Sequence, residues 1–342
     1  MGTDGCSIGT INTFLDHYTY ETMVTKATTG SRSIPLAVVH FGKGSFCLKY
    51  ALKSAERYTG NVTLIGDQSN SHNWHRHCDA GCLDGSRYEQ FCSGYVHRSS
   101  NSKIFEMACF KRFFILLEWM KQNNLDRAIL LDSDIVTCSK LGDEIAAIVG
   151  DHSAAAYMRP AEQGEMQWTA SPHVSYWTRT GLEEFTEFCL RANRLPELVD
   201  RLNSKWKWHQ ESQQLGGICD MTYLYLWGLE RTDVISLCPV RNRKTIDFSI
   251  NLSQNDYKNE YRMFCGVKSI SFRGGVPYGF NNRLNEQTQF LALHCQARNK
   301  SITAFLYYSP LRRMYWTTKP VYLAMRAVVR TSRRLIGRRT TD

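Results

Sequence analysis

The sequence predicts an α/β fold with a mixed, mainly parallel sheet flanked by helices. Residues 36–67 read as a strand, a glycine-bearing turn, a helix and a second strand, which is the order of a βαβ unit. A further apolar strand at residues 128–131 runs directly into the polar sequence Asp132-Ser133-Asp134. With 342 residues, 43% of them hydrophobic, the chain is long enough to bury a large core around such a sheet.

The βαβ unit begins with the apolar run at residues 36–41, which Gly42-Lys43-Gly44 ends. A helix is expected from Phe46 to about Arg57, and residues 62–67 repeat the short apolar pattern of a strand. Because the two strands of such a unit are parallel, their carboxyl ends meet at one edge of the sheet, where ligands bind in open α/β folds. We expect the functional site at that edge.

The rest of the chain alternates in the same way. Residues 68–100 are polar and rich in His, Cys, Ser and Asn, which predicts a long loop region. The other predicted elements are helices at 105–122 and 182–193, a helix beginning near Asp220, and strands at 128–131, 154–158, 174–177 and 290–294.

The sharpest chemical signal is Asp132-Ser133-Asp134. Side chains alternate along a strand, so Asp132 and Asp134 aim at one point beyond its end. Two carboxylates held together repel each other unless a cation lies between them, and an oxygen-rich site suits Mn²⁺ or Mg²⁺. The alternative interpretation is a β-turn or a helix cap, for which Asp and Ser are ordinary residues.

Three segments together resemble the GT-A glycosyltransferases, particularly the group that includes glycogenin and the bacterial lipooligosaccharide galactosyltransferases. They are Lys111-Arg112-Phe113-Phe114 on the predicted helix, Leu130 to Asp134, and the segment from His294 to Lys300. The last is similar to the His-x-x-Gly-x-x-Lys motif of that group, with Ala297 where the motif has Gly. The resemblance implies a GT-A (Rossmann-like) fold over about Leu36 to Lys300.

The resemblance also implies roles for single residues. Asp132, Asp134 and His294 would hold Mn²⁺ or Mg²⁺, and Lys300 and Arg112 would contact the diphosphate of a nucleotide sugar, expected to be UDP-linked. The base and ribose would lie against His40, Phe41, Lys43 and Asp67, at the ends of the first two strands. Turn chemistry is the alternative for the latter four, and a solvated charge is the alternative for Arg112.

A second informative segment runs from His209 to Met221 and contains Gly216-Gly217. A glycine pair lets the backbone approach a ligand closely. We expect Asp220 to face the sugar at the reaction centre, as a hydrogen-bonding group or as a base on the acceptor, with Glu211 as the second candidate. The alternative for Asp220 is a helix N-cap.

A cluster of His and Cys at residues 72–82 leaves a zinc site open as an alternative. The spacing does not form the two separated ligand pairs of a structural zinc site. We therefore favour a loop on the acceptor side.

The basic charge is concentrated at the end of the sequence. Residues 312–342, called the basic tail below, contain nine Lys and Arg against Asp342 alone, and so carry most of the net charge of +10. Apolar residues recur at helical spacing from Val321, which predicts a basic amphipathic C-terminal helix. We expect residues 1–311 to form the catalytic domain and the basic tail to contact an anionic membrane surface, with no nucleic acid as partner.

These observations favour a metal-dependent glycosyltransferase acting on a nucleotide sugar and a hydroxyl of a glycan or lipid-linked acceptor. The alternatives are a nucleotidyltransferase that makes a sugar nucleotide, and a non-catalytic basic protein that binds membranes or nucleic acid. No apolar run is long enough to cross a bilayer and no secretory signal is recognised. The expected location is therefore cytoplasmic and peripheral at the membrane, with the luminal domain of an anchored Golgi-type enzyme as the alternative.

Overall fold

The computed structural model describes residues 34–296, residue 300 and residues 302–307. The basic tail and its predicted amphipathic helix lie outside the described residues. None of the described helices combines the length and apolar content that a bilayer crossing requires.

Strands and helices alternate through the first two thirds of the described chain, and strands dominate the last third. The strands are β1 (Leu36–His40), β2 (Val62–Gly66), β3 (His77–Asp79), β4 (Arg127–Leu131), β5 (Ile135–Thr137), β6 (Ala155–Met158), β7 (Ser171–Thr178), β8 (Val234–Ser236), β9 (Lys244–Ile246), β10 (Met263–Phe264), β11 (Val267–Lys268), β12 (Ile270–Arg273), β13 (Val276–Asn281) and β14 (Glu286–His294). The helices are α1 (Phe46–Thr59), α2 (Ser86–Gly94), α3 (Lys103–Gln122), α4 (Leu141–Ala146), α5 (Arg179–Ala192), α6 (Pro196–Glu211), α7 (Asp220–Gly228) and α8 (Ile302–Tyr307).

A seven-stranded sheet forms the centre, in the order β3-β2-β1-β4-β7-β6-β8. Strand β1 is parallel to both β2 and β4, β2 is parallel to β3, and β6 is parallel to β8. Only β7 runs antiparallel to its neighbours β4 and β6. The mixed, mainly parallel sheet and the βαβ unit are confirmed, and the carboxyl ends of β1, β2 and β4 lie at one edge.

A second sheet, which the sequence did not predict, contains β12-β13-β14-β5, with β9 parallel to β14. Strand β5 begins directly after Asp134 and pairs antiparallel with β14, so that His294 lies opposite Ile135. The chain thus passes from the first sheet into the second through Asp132-Ser133-Asp134. This junction explains how His294 reaches residues so distant in the sequence.

Helix α3 packs against the sheet strands β1 and β4 and against the helices α2, α5 and α7. Its middle is therefore buried on several sides, including Phe110, Phe113, Phe114 and Leu117. The helix predicted at 105–122 is confirmed and begins two residues earlier, and Phe105 in its first turn is 57% exposed.

Several regular elements outside the second sheet were missed, among them α4 and β8. Residues 68–100 contain β3, α2 and two short 3-10 turns where a loop was expected, and α6 occupies residues before the predicted helix at Asp220. Helix α2 buries Phe91 alone, and α6 buries only Leu202 and Lys205. Both helices are mainly polar and bury few residues, so the sequence offered no apolar run that would have indicated them.

Candidate active site

The turn after β4 brings two carboxylates to the junction of the two sheets. The Asp132 N–H donates to the carbonyl of His173 on β7, 2.9 Å away, and the Ile135 N–H donates to the Asp132 carbonyl at 3.2 Å. The expected turn chemistry is therefore present, and it coexists with a clustered ligand set. One ligand atom each from Asp132, Asp134 and His294 lies within 4.8 Å of the others.

His294 is fixed by contacts on several sides. Its Nδ1–H donates to the carbonyl of Phe248 at 2.9 Å, and its backbone N–H donates to Oδ2 of Asp247 at 3.1 Å. The ring stacks on that of His173, with 4.0 Å between centroids. Because a carbonyl can only accept, Nδ1 carries the proton, and in the neutral ring Nε2 presents its lone pair 3.5 Å from Oδ1 of Asp134.

A layer of buried polar groups supports His294, and the sequence analysis missed it. Asp247 forms an ion pair with Lys268, and neither side chain is exposed. Lys268 also donates to the carbonyls of Ser249 and Gln254, both at 3.1 Å. His173 contacts the Ser171 hydroxyl and the Asp247 carbonyl, and burial holds its pKa well below the usual value. The only sequence feature that could have indicated these buried polar groups is their position within or beside apolar runs, such as Asp247 after Ile246.

Basic groups balance the two carboxylates. Nζ of Lys300 lies 3.3 Å from Oδ2 of Asp134. Burial raises the pKa of Asp134, but the hydrogen bond and charge of His294, together with Lys300, outweigh it and lower the pKa below its usual range. Burial lowers the pKa of His294, and the Asp134 carboxylate outweighs that effect and raises it. The charged form of Asp134 is therefore the stable one.

Arg112 joins two of the predicted site residues. Its guanidinium contacts Oδ1 of Asp132 and Oδ2 of Asp220 at once. Asp220 is only 2% exposed and is the first residue of α7, whereas Cys219 occupies the N-cap position without a side-chain cap. Asp220 is thus not an N-cap, and its charge is directed towards Arg112 beside the carboxylate cluster.

The clustered residues fit a divalent cation. Two carboxylates and a neutral imidazole form a donor set that Mn²⁺ accepts well. Ligands about 2.1 Å from one ion lie roughly 3 to 4 Å from each other, so the observed separations require only a small inward shift. Among the described residues no second group of three His, Cys, Asp or Glu residues offers such a site, which leaves the zinc alternative at residues 72–82 without structural support.

The ends of β1 and β2 line a neighbouring cavity of about 820 Å³, whose walls include Phe41, Asp67, Tyr88 and Lys111. Lys111 Nζ lies 4.7 Å from the centre of the Phe41 ring. Asp67 accepts hydrogen bonds from the Gly42 and Ser69 N–H groups, at 2.6 and 2.9 Å. Two of the four residues expected to face the base, Phe41 and Asp67, therefore line one open cavity.

The other two residues at the end of β1 differ in their surroundings. Burial lowers the pKa of His40, whose imidazole also senses the charges of Lys300, Asp67 and Asp134. Lys43 is exposed in the turn that follows. His40 is therefore within electrostatic reach of both Asp67 and Asp134.

The remaining predicted residues lie on the α6–α7 side. Glu211 is exposed at the end of α6, where it pairs with Lys207 at 3.7 Å, and it is not among the residues gathered around Asp134. Gly217 has a φ of 144°, and a Cβ there would lie 2.4 Å from the Arg98 carbonyl oxygen. The close approach expected of the glycine pair is therefore made to the chain's own backbone.

No family model and no curated protein sequence matches the chain. Among solved structures, mouse xyloside xylosyltransferase 1 matches 62% of this chain and 87% of its own, at 12% identity and a TM-score of 0.42. An active-site mutant of LgtC matches 63% and 75%, at 12% identity and a TM-score of 0.39. The glycosyltransferase GlyE of Streptococcus pneumoniae matches 60% and 45%, at 15% identity and a TM-score of 0.31.

These overlaps are partial, and the three solved structures are glycosyltransferases, the class that the sequence motifs resemble. The mixed sheet, with the carboxylate turn at the carboxyl end of β4, confirms the predicted α/β fold class.

Proposed function

We propose that the protein is a metal-dependent glycosyltransferase that moves a sugar from a nucleotide donor, a UDP-sugar, to a hydroxyl of a glycan or glycolipid. The observation that carries this proposal is the convergence of Asp132, Asp134 and His294 from two sheets, with the Lys300 ammonium beside them. In the reaction the bond between the anomeric carbon and the diphosphate oxygen breaks. The anomeric carbon bonds to the acceptor oxygen, whose proton is released.

The leaving diphosphate gains negative charge as that bond breaks, and fixed positive charge lowers the barrier. A divalent ion held by Asp132, Asp134 and His294 supplies Lewis acidity when bound. Lys300 is half exposed, so its ammonium is free to turn from Asp134 towards a phosphate oxygen. Arg112 keeps the Asp132 and Asp220 carboxylates in fixed positions.

The donor nucleoside fits the cavity at the ends of β1 and β2. Phe41 offers an aromatic face, and Lys111 lies over that ring. Asp67, held by Gly42 and Ser69, keeps a lone pair on Oδ2 for a ribose or base N–H or O–H group, because Oδ1 accepts from both the N–H and the hydroxyl of Ser69. His40 interacts electrostatically both with Asp67 in the cavity wall and with Asp134, which supports the assignment of His40, Phe41 and Asp67 to the donor. Lys43 is assigned to the donor by the sequence resemblance alone.

Asp220 is the residue we assign to the transferred sugar or to the acceptor hydroxyl. Its contact with Arg112, which also contacts Asp132, connects it to the proposed metal site. Glu211 is exposed and pairs with Lys207, so the geometry supports it less.

A panel of nucleotide sugars, each incubated with Mn²⁺, Mg²⁺ or EDTA, tests the proposal. We expect one UDP-sugar to release UDP slowly with Mn²⁺ and not with EDTA, because many transferases hydrolyse their donor. Asp134→Asn should lower metal-assisted UDP affinity by about 100-fold or more, because it removes a charged ligand.

Metal-independent release, or normal UDP affinity in a folded Asp134→Asn protein, would contradict the assignment. Production of pyrophosphate from a sugar phosphate and a nucleoside triphosphate would indicate the nucleotidyltransferase instead.

A membrane contact through the basic tail rests on its sequence pattern and remains a proposal. Full-length protein should float with anionic liposomes and dissociate in high salt, whereas a variant without residues 312–342 should stay in solution. The truncated form should retain donor hydrolysis. Equal flotation of both forms would exclude the tail as the anchor.

A further inference from the structure

A second cavity, of about 430 Å³, lies between the 164–169 loop, helix α6 and the first turn of α7. Its walls include Trp168, Trp208, Lys205 and the glycine pair 216–217. Cys219 and Met221, the neighbours of Asp220 in the chain, also line it. The first turn of α7 therefore belongs both to this cavity and to the Arg112 contact of the candidate active site.

Lys205 is a buried cation in the wall of this cavity, with only 2% of the residue exposed. Its ammonium donates to the carbonyl of Gln167 at 2.6 Å and lies 5.7 Å from the centre of the Trp168 ring. Among the described residues no carboxylate forms an ion pair with it. An ammonium carries three N–H donors, so a buried one with a single hydrogen bond favours an anionic partner from outside the chain.

The groups around Lys205 do not neutralise it. Glu165 contributes to the lining but is exposed. Burial lowers the pKa of His209 and raises the pKa of Cys219 to about 12, so both are neutral near pH 7. Arg201, whose guanidinium lies 5.5 Å from the centre of the Trp168 ring, adds a second positive charge.

The loop that faces Lys205 is pre-arranged. Gln163 holds it by donating to the carbonyls of Pro160 and Thr169 and by accepting from the Thr169 N–H. Trp168 has a φ of 36°, a left-handed conformation that a non-glycine residue adopts only under constraint. Its ring lies parallel to that of Tyr225, at an interplanar angle of 1°. A fixed indole beside a cation is suited to stack on the face of a sugar ring.

We propose that this cavity binds the acceptor of the transfer reaction through a carboxylate-bearing sugar, with the Lys205 ammonium paired to the carboxylate and Trp168 against the ring. The proposal rests on the proposed function and names the class of its acceptor. It separates this cavity from the donor cavity, which lies at the ends of β1 and β2.

Binding of methyl glucuronide and of methyl glucoside, without nucleotide or metal, tests this assignment by titration calorimetry or ligand-detected NMR. These two probes differ in the carboxylate. We expect saturable binding of the glucuronide, and binding of the glucoside about tenfold weaker or more, because a charge-assisted hydrogen bond is lost. Lys205→Met should abolish the difference, and Lys207→Met, an exposed lysine on the same helix, should leave it unchanged.

The pH dependence gives a second readout in the unmodified protein. Burial lowers the pKa of Lys205 to about 8. Affinity for the glucuronide should therefore be full at pH 7 and fall as pH rises through and above 8, while affinity for the glucoside stays constant. This readout keeps the test decisive if circular dichroism shows that Lys205→Met does not fold.

Equal affinity for the two probes, no saturable binding of the glucuronide, or unchanged discrimination in a folded Lys205→Met protein would overturn the proposal. These outcomes are independent of UDP release, so a failure here is distinguishable from a failure of the proposed transferase activity. Donor hydrolysis without glucuronide binding would support the proposed transferase activity and contradict the proposed acidic acceptor.

Discussion

Two regions that share helix α7 differ in whether their buried charges have a partner of opposite charge. At the junction of the sheets Asp134 lies beside His294 and Lys300, Asp132 contacts Arg112, and Asp247 contacts Lys268. In the cavity beside α6, Lys205 is buried, as Asp247 and Lys268 are, but its ammonium donates to a carbonyl. Each of the charges at the junction faces an opposite charge of the chain, whereas Lys205 faces none among the described residues. We interpret the second arrangement as a specificity site, because a buried charge is costly unless a partner arrives.

The largest effect is expected from Lys268→Met, which gives the junction the same kind of unpaired charge. It leaves the buried Asp247 carboxylate without its partner, which costs about 3 to 5 kcal/mol. Urea unfolding should show a loss of that size. Since Asp247 also accepts from the His294 backbone, Asp247→Asn in the same chain should restore part of the stability; no restoration would show that the pair does not act as a unit.

A smaller effect is expected from His294→Gln, which tests whether the junction is a metal site. Metal-assisted UDP affinity should fall about 10- to 100-fold. The stacked neighbour His173 is the matched comparison, because its ring nitrogens contact Ser171 and the Asp247 carbonyl and it is not one of the three candidate ligands. Equal losses for His294→Gln and His173→Gln would mean that His294 is only a packing residue.

Asp220→Asn tests the turn of α7 that the two regions share. We expect kcat to fall about tenfold or more while UDP affinity changes little, because the residue is assigned to the sugar side. Steady-state kinetics combined with UDP titration separates the two quantities. An equal loss of both would identify Asp220 as a structural partner of Arg112.

The smallest effect is expected from Lys205→Met. This substitution should stabilise the folded protein, whereas the three substitutions above should each cause a loss. The pKa of Lys205 is about 8 in the folded protein against an ordinary value of 10.5, so the unfolded chain binds the proton more tightly. The buried, protonated Lys205 therefore destabilises the folded protein. This destabilisation is fully present below pH 8 and disappears as pH rises towards 10.5. The variant should therefore be more stable by on the order of 1 kcal/mol at pH 7 and by nothing near pH 10.5.

Thermal unfolding of Lys205→Met and of the unmodified protein at these two pH values measures the difference in stability between them. Lys207→Met, an exposed control, should change stability little at either pH. A loss of stability in Lys205→Met at pH 7 would show that the Gln167 contact matters more than the buried charge.

The sequence predicted the parts of the fold that depend on local pattern. Strands β1, β2 and β4 consist mainly of apolar residues and end at polar turns, and α1 and α5 have long periodic faces. The second sheet was missed because its strands are short and mix polar with apolar residues, as Lys244–Ile246 and Ile270–Arg273 do. Strand β9 is stabilised by pairing with β14, a long-range contact that no local pattern contains, and β12 by pairing with β13.

The residues of the candidate site also fall into two groups, those that the sequence indicated and those that it did not. Asp132, Asp134, His294 and Lys300 were identified because a resemblance joined two distant motifs, and the structure brings them together. The position of His294 is supported by Asp247, His173 and Lys268. Nothing in the local sequence of these three residues predicts that role. Lys205 reads in the sequence as an ordinary helix lysine, and only its burial distinguishes it from Lys207.

The junction between the sheets has a consequence for biosynthesis. Asp132 and Asp134 are translated well before His294, and the supporting Asp247 and Lys268 emerge between them. During synthesis the two carboxylates stay without their imidazole partner until β14 has left the ribosome and paired with β5. The proposed cation site is therefore completed only after both sheets have been made.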